Sequence, residues 1–330
     1  MVFIIIIFAV FALIVKVFFF SKKETLFTDE SINLFKSSIK IKLPEKSKKS
    51  LFEQSFHLLK TIDQNYNSYS PVSHIHNINK NAGFFTNVDE TTIYLLEKIK
   101  EYSLLLDGEY DITIMPLLRL WGFYSERHSL PSIDEINLSK KHVNYEKIKI
   151  SSKEKKIKID SEQEIITGSF IKSFGADVVK KYLSSSRIND ALINISSSTI
   201  TGLNKRKKFW KVIIEDPDDE TKDLFLLKLS NKSISVSGNN NSFISINGEN
   251  YGHIISPKTG FPGKNKLLAV ISSSAFKSDV FSTGLYNFSG CDFIQKINSI
   301  DDLEGVLINE KREIFYSENF KDFILENYTK

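Results

Sequence analysis

Apolar and polar positions along the chain fall into three kinds of run. The first is an almost unbroken apolar stretch from Met1 to Phe20, interrupted only by Lys16 and followed by Ser21, Lys22 and Lys23. At about 1.5 Å of rise per residue a helix of this length reaches across a hydrocarbon core of roughly 30 Å, so residues 1–23 read as a membrane anchor or a signal segment. No small-x-small cleavage site lies near its end and no cysteine follows it, which favours an uncleaved anchor. The second kind has the period of a helix. Leu51, Phe56, Leu58, Leu59 and Ile62 form one stripe, and Ile93, Leu96, Ile99 and Tyr102 form another that begins with Asp89 and Glu90 and ends at Asp107-Gly108. Ser169 to Leu183 gives a third helix. The remaining runs are short and strand-like: Ile39–Leu43, Lys147–Ile150, Lys156–Ile159, Leu192–Ile195, Trp210–Glu215, Phe225–Leu229, Ile234–Ser237 and the LLAVIS segment at 267–272. Between the first two helices, DQNYNSYSPVSHIHNIN reads as a surface loop, and Pro131 to Asp134 as a turn. The strands cluster as hairpins among helices. The pattern predicts an α+β fold with mixed sheets and packed helices, in which residues 24–50 are a linker and first strand and residues 51–330 a single domain behind the N-terminal segment.

Composition narrows the function classes. The chain has 330 residues, 41% hydrophobic and 25% charged, the profile of a folded protein with a large core. Its 44 basic and 40 acidic side chains leave a net charge of only +4, and the KRKK run at Lys205–Lys208 reads as decoration of a hairpin turn, so no nucleic-acid partner is expected. A single cysteine, Cys291, excludes an internal disulfide and a cysteine-based metal site.

Candidate chemistry concentrates between Asn247 and Thr283, NGENYGHIISPKTGFPGKNKLLAVISSSAFKSDVFST. His253 is titratable and precedes a Pro257/Gly260/Pro262 turn. If the chain is helical from Lys277, then Asp279, Ser282 and Thr283 share one face and offer a carboxylate and two hydroxyls, hard oxygens of the kind Mg²⁺ takes. The plain alternative is a helix-terminal acid with two packing hydroxyls. Lys172, one turn into the helix after Gly168, is placed to meet a diphosphate, or else to line a solvated face.

Two further segments give these residues a context. The stretch Gly108–Phe123, GEYDITIMPLLRLWGF, fits Gly-x-Tyr/Phe-Asp-x-Thr-x-x-Pro-Leu-x-x-x-Trp-Gly-Phe throughout, and His253–Pro262 fits His-Ile-Ile-Asp-Pro-x-Thr-Gly-x-Pro in all but one position, Ser256. With GSFIKSFGADVVKKYL at 168–183, the chain from about Phe56 to Gly290 resembles the FAD:protein FMN transferase (ApbE) family. The resemblance implies Mg²⁺-dependent cleavage of FAD as substrate, release of AMP and attachment of FMN by a phosphoester to a Ser or Thr of an acceptor protein. It implies Ser169, Asp279, Ser282 and Thr283 at the metal and His253 as the catalytic histidine. Tyr69, Glu109, Tyr110, Asp111, Lys172 and Ile255 are implied to contact the flavin nucleotide. Trp121 and Phe123 read as core. It also places the soluble domain behind the membrane anchor in the periplasm or otherwise outside the cytoplasm, whereas Lys22 and Lys23 by the positive-inside rule point the same side toward the cytoplasm.

The chain departs from the family pattern at Ile166, where an acid is usual, at Ser196-Ser197, where Gly-Gly is usual, and at His74, Leu106, Ser173 and Ser256. The acceptor signature Asp-x-x-Ser/Thr-Gly-Ala-Ser/Thr does not occur in this chain, so the acceptor is a separate protein. Two other readings stay open on sequence: an FAD pyrophosphatase yielding FMN and AMP, and a flavin-binding relative without chemistry.

Overall fold

The computed structural model describes residues 26–125, 129–196, 198–204, 208–238 and 242–329. The apolar segment at 1–23, His128, Ser197 and the basic run at 205–207 lie outside the described residues. Among the described residues no helix is long and apolar enough to cross a membrane. This corrects the expectation of a membrane-anchored protein with an extracytoplasmic domain: the one candidate span falls outside the described residues, and no other helix takes its place.

Strands β1 (Phe27–Leu34) and β2 (Ser37–Pro44) form a hairpin that leads into helix α1 (Lys49–Tyr66), so the segment read as a linker with one strand supplies two strands. Next come α2 (His74–Lys80), the two-residue β3 (Thr86–Asn87), α3 (Glu90–Leu105), α4 (Met115–Trp121) and α5 (Ile133–Lys140). A small hairpin of β4 (Lys149–Ser151) and β5 (Lys156–Lys158) precedes α6 (Ile171–Ser185). Then follow β6 (Ala191–Ile195), β7 (Thr199–Leu203), β8 (Trp210–Asp216), β9 (Asp219–Leu229) and β10 (Ser233–Gly238). After these come β11 (Phe243–Ile246), β12 (Glu249–Gly252) and β13 (Leu267–Ser272). The chain ends with α7 (Ala275–Gly284), α8 (Gly290–Asn298), β14 (Glu304–Ile308), β15 (Ile314–Tyr316) and β16 (Ile324–Asn327).

Eight strands make the main sheet in the order β1-β2-β6-β7-β10-β13-β14-β15, and a second sheet has the order β16-β9-β8. Every strand pairing described is antiparallel, so the expectation of mixed sheets is corrected. Several neighbours, such as β1-β2, β8-β9 and β11-β12, are joined by tight turns, and a tight turn can only reverse the chain. Strand β13 shows how the layers form. Leu268 and Val270 pack into the cluster that holds helix residues Phe276 and Val280, while Leu267, Ala269 and Ile271 pack with Val212, Leu227 and Phe320 around the smaller sheet. Alternate residues of a strand face opposite sides, so a strand covered on both faces is apolar throughout.

Three short helices stand where the pattern gave a loop (α2), a turn (α5) or no element (α4). Each has a local cause. Ser73 accepts a hydrogen bond from His76 N at 3.0 Å and starts α2, whose Ile75 and Ile78 are buried. Pro116 lies in the first turn of α4, where its missing N–H costs nothing. Ser132 and Glu135 form a reciprocal capping box that starts α5.

Candidate functional site

Helix α7 follows directly from the buried strand β13, and its start is fixed by groups from both sides. Ser274 caps it by accepting from Lys277 N at 3.1 Å. From α6, the carboxylate of Asp177 accepts from Ser274 Oγ at 2.5 Å, Ala275 N at 2.8 Å and Phe276 N at 3.0 Å, which pairs the orphan donors of the first turn. One turn further on comes Asp279. Burial pushes its carboxyl up to about 6, against the Ser173 hydroxyl and the Lys172 charge, both of which favour ionisation. Tyr110 is buried with its hydroxyl 2.8 Å from Ser169 Oγ, and burial together with the nearby Asp279 and Asp111 charges drives that phenol upward. Asp279, Lys172, Ser173, Ser169 and Tyr110 therefore converge from α6, α7 and the Gly108 segment.

His253 approaches the same lysine from the loop after β12. Its Nδ1 lies 3.1 Å from the carbonyl oxygen of Ser242. A carbonyl only accepts, so Nδ1 carries the proton and Nε2 is left as the basic nitrogen of the neutral ring. Desolvation by the surrounding protein lowers the imidazole pKa, and the Lys172 charge lowers it further, against the Ser242 carbonyl. The ring is nevertheless open to solvent, and it stands edge to face with Phe123 at 6.4 Å.

The turn beyond His253 is rigid. Ser256 N donates to Phe261 O at 2.9 Å, Gly260 N to Ser256 O at 2.8 Å, and Ile255 bridges Pro262. The buried Trp121 indole donates to Gly260 O at 2.8 Å and so fastens the Gly108–Phe123 segment to this turn. Gly260 has φ of 79°, and a Cβ there would sit 2.4 Å from Ile136 Cγ2, so no other residue fits without movement. On the far side, Ser256 Oγ donates to Glu109 Oε2 at 2.7 Å, with Lys258 Nζ 4.0 Å from the same carboxylate.

Residues 35–307 match the ApbE family. The chain belongs to the ApbE family. A FAD:protein FMN transferase of Buchnera aphidicola subsp. Baizongia pistaciae is 30% identical over 275 residues, which is 78% of this chain and 79% of that protein. Another, from Vibrio cholerae, is 26% identical over 244 residues, 72% of this chain and 73% of that one. The crystal structure of the ApbE protein of Thermotoga maritima matches the fold with a TM-score of 0.83 at 21% identity, covering 91% of this chain and all 100% of that one. The flavin transferase ApbE from Vibrio cholerae matches with a TM-score of 0.78 at 21% identity, over 90% of this chain and 99% of that one.

The residues expected from the ApbE resemblance do not all take equivalent positions. Asp111 is buried, with its carboxylate spent on Thr113 N at 2.8 Å, Thr113 Oγ1 at 2.7 Å and Tyr145 N at 2.7 Å, so it holds the loop together. Ile255 is core beside Trp121. The Ser282 hydroxyl is buried and engaged, donating to Asp279 O at 3.0 Å and accepting from Ser237 Oγ at 2.9 Å. Thr283 remains partly open on the face of Asp279. Tyr69 stands in the loop between α1 and α2, where reciprocal bonds pin its neighbour to the Ser169 turn: Ser68 N donates to Thr167 Oγ1 at 2.9 Å and Thr167 N to Ser68 Oγ at 3.3 Å. Among the described residues no group of three or more His, Cys, Asp and Glu side chains comes together to hold a metal.

The departures from the ApbE pattern have local consequences. Ile166 is buried beside Met115 and Trp121, so the apolar side chain packs where an acid would need a partner. Ser196 adopts φ of 52°, the conformation that makes glycine usual there. Ser173, in place of a glycine, is buried with its hydroxyl donating to Phe170 O at 2.8 Å, and it lies close enough to Asp279 to favour the ionised carboxylate. Ser256 in place of an acid is suited to Glu109, because two carboxylates at that distance would repel. His74 lies 3.8 Å from Asp89, and Leu106 is fully buried against Gly284. The sequence reading missed Asp177 as the cap of α7 and Ser256 as the partner of Glu109; the signal for the first was a carboxylate one turn beyond Ser173 on the buried side of α6.

Proposed function

We propose that this chain is an FAD:protein FMN transferase that breaks the pyrophosphate of FAD and joins FMN to a Ser or Thr hydroxyl of a separate acceptor protein. The reading is carried by what converges around the start of α6: Tyr110 Oη lies 2.8 Å from Ser169 Oγ just before the helix, Lys172 stands in its first turn, and Asp279 of α7 and His253 are both near enough to feel the Lys172 charge, which brings a cation, a raised carboxylate and a basic imidazole nitrogen together. Such a set suits a diphosphate. Lys172 pairs with its negative oxygens, close to the first turn of α6. Nε2 of His253 takes the proton from the acceptor hydroxyl as its oxygen bonds to phosphorus, the P–O–P bond breaks, and AMP leaves with the bond electrons. Tyr69 stacks on the flavin ring, and Glu109 with Lys258 and Ser256 steadies the turn that carries His253.

A half-buried carboxylate with a raised pKa and few partners gains from a cation, and two hydroxyl oxygens nearby complete a hard donor set, so the residues present fit Mg²⁺. Asp279, Ser169 and Thr283 would hold it; Ser282 contributes packing instead. When bound, Mg²⁺ would neutralise pyrophosphate charge and stabilise the departing AMP. The test is incubation of the protein with FAD, Mg²⁺ and an acceptor bearing the Asp-x-x-Ser/Thr-Gly-Ala-Ser/Thr sequence. In-gel flavin fluorescence on the acceptor supports transfer, whereas AMP with only free FMN would replace it by hydrolysis.

A further inference from the structure

We propose that Tyr124 is a specificity-determining residue of the flavin site, forming with Tyr69 an aromatic mouth for the isoalloxazine ring; this rests on the reading of FAD as substrate. Nothing in the sequence motifs pointed to Tyr124, which lies one residue beyond the Trp-Gly-Phe segment. Its backbone is the first sign. At φ of 67° it occupies the left-handed region that a bulky aromatic residue seldom adopts, and such outliers persist where the surroundings hold them. The hold is visible: Gly122 ends α4 in its own left-handed turn, and Ser125 Oγ donates to Arg119 O at 2.8 Å. Arg119 is anchored in turn to Glu164 at 2.5 Å and 2.9 Å.

This backbone turn sends two consecutive rings to different partners. Phe123 meets His253 at 6.4 Å, and Tyr124 meets Tyr69 at 5.7 Å with the planes 34° apart. Tyr124 is 59% exposed and Tyr69 41%, so the pair forms an open apolar wall at the protein surface. Lys36, from the β1–β2 turn, places Nζ 5.2 Å from the centroid of the Tyr69 ring and closes that side of the wall. The Tyr69–Tyr124 pair, the Phe123–His253 pair and the Lys172 charge felt by His253 lead from a flat-ring surface to the cation at which the proposed diphosphate would lie. A nucleotide whose diphosphate lies at Lys172 and His253 can lay its ring on this wall, because an aromatic face takes a flat heterocycle by stacking.

Isoalloxazine and adenine share that chemistry, and the experiment separates them. Full-length wild type, Tyr124→Gly and Tyr124→Phe are titrated with FAD, riboflavin and ADP, using flavin fluorescence quenching and calorimetry, and their thermal unfolding is recorded. Glycine relieves the left-handed backbone while deleting the ring. Tyr124→Gly is expected to bind FAD and riboflavin roughly 10- to 100-fold more weakly, with ADP unchanged and Tm no lower than wild type. Tyr124→Phe keeps the ring and is expected to retain both affinity and quenching. Equal riboflavin and FAD affinity in wild type and Tyr124→Gly would overturn the assignment of Tyr124 alone. A loss confined to ADP, or one matched by a fall in Tm, would also overturn it. Failure of the wild type itself to bind FAD would instead overturn the flavin reading on which it rests.

Discussion

Replacing Asp279 by Asn is expected to stabilise the metal-free protein while abolishing its response to Mg²⁺. Burial raises this carboxyl from 3.8 to about 6, a rise of about 2. The folded state therefore holds a proton that the unfolded chain releases more readily. The carboxyl opposes folding in full above about 6, opposes it less as pH falls toward 3.8, and has no effect below that. At about 1.4 kcal/mol for each tenfold change, the cost at pH 7 reaches roughly 3 kcal/mol, a ceiling because the side chain is partly open to solvent. For a chain of this size that corresponds to a rise in Tm of about 5 °C on removing the charge. The assay is thermal unfolding in EDTA at pH 7 and pH 4.5, repeated at pH 7 with Mg²⁺. The account predicts the Asn variant to be more stable at pH 7, the gain to shrink to about 1 kcal/mol at pH 4.5, and Mg²⁺ to raise Tm of the wild type only. A variant no more stable than wild type in EDTA, or a gain independent of pH, would refute the idea of a carboxylate awaiting a cation.

Other substitutions separate chemistry from scaffolding. His253→Gln should leave FAD affinity nearly unchanged and slow FMN transfer by about 10² to 10⁴, measured in single turnover. Because the His253 pKa lies below 6.5, its basic form persists through neutral pH, and the transfer rate should fall only in the acid range. Asp177→Ala removes three accepted hydrogen bonds from the start of α7 and should cost roughly 1–3 kcal/mol by urea unfolding, with Asp177→Asn recovering part of it. Trp121→Phe leaves the Gly260 carbonyl without its donor, and is expected to destabilise by about 1–3 kcal/mol and to loosen the His253 turn, seen as faster hydrogen exchange there.

Much of this arrangement was legible in the sequence because single residues carried it. The 3.6-residue periodicity around Leu59 and Leu96 marked α1 and α3, the unbroken LLAVIS run marked the strand β13, and Asp89 marked a helix start, where it now accepts from Thr92 N at 2.8 Å. What escaped depended on contacts between distant segments. The helices α2, α4 and α5 are seven or eight residues long, too short for periodicity to outweigh their turn-forming residues. Strand direction depends on which ends the connections join, and no local pattern encodes it. At the site, spacing placed Asp279, Ser282 and Thr283 on one helix, yet only packing shows Ser282 turned to Ser237 and Asp111 consumed by Thr113 and Tyr145. The meeting of Lys172 with both Asp279 and His253 joins segments about 80 to 110 residues apart in sequence, which motif order hinted at and only tertiary structure brings about.

The most direct test of the central claim is a single incubation of the full-length protein with FAD and an acceptor protein carrying Asp-x-x-Ser/Thr-Gly-Ala-Ser/Thr, with Mg²⁺ or with EDTA. AMP is followed by chromatography and FMN on the acceptor by mass. The account predicts equal amounts of AMP and FMN-bearing acceptor with Mg²⁺, and neither with EDTA. FAD recovered intact from the Mg²⁺ sample, with the acceptor unmodified, would contradict it.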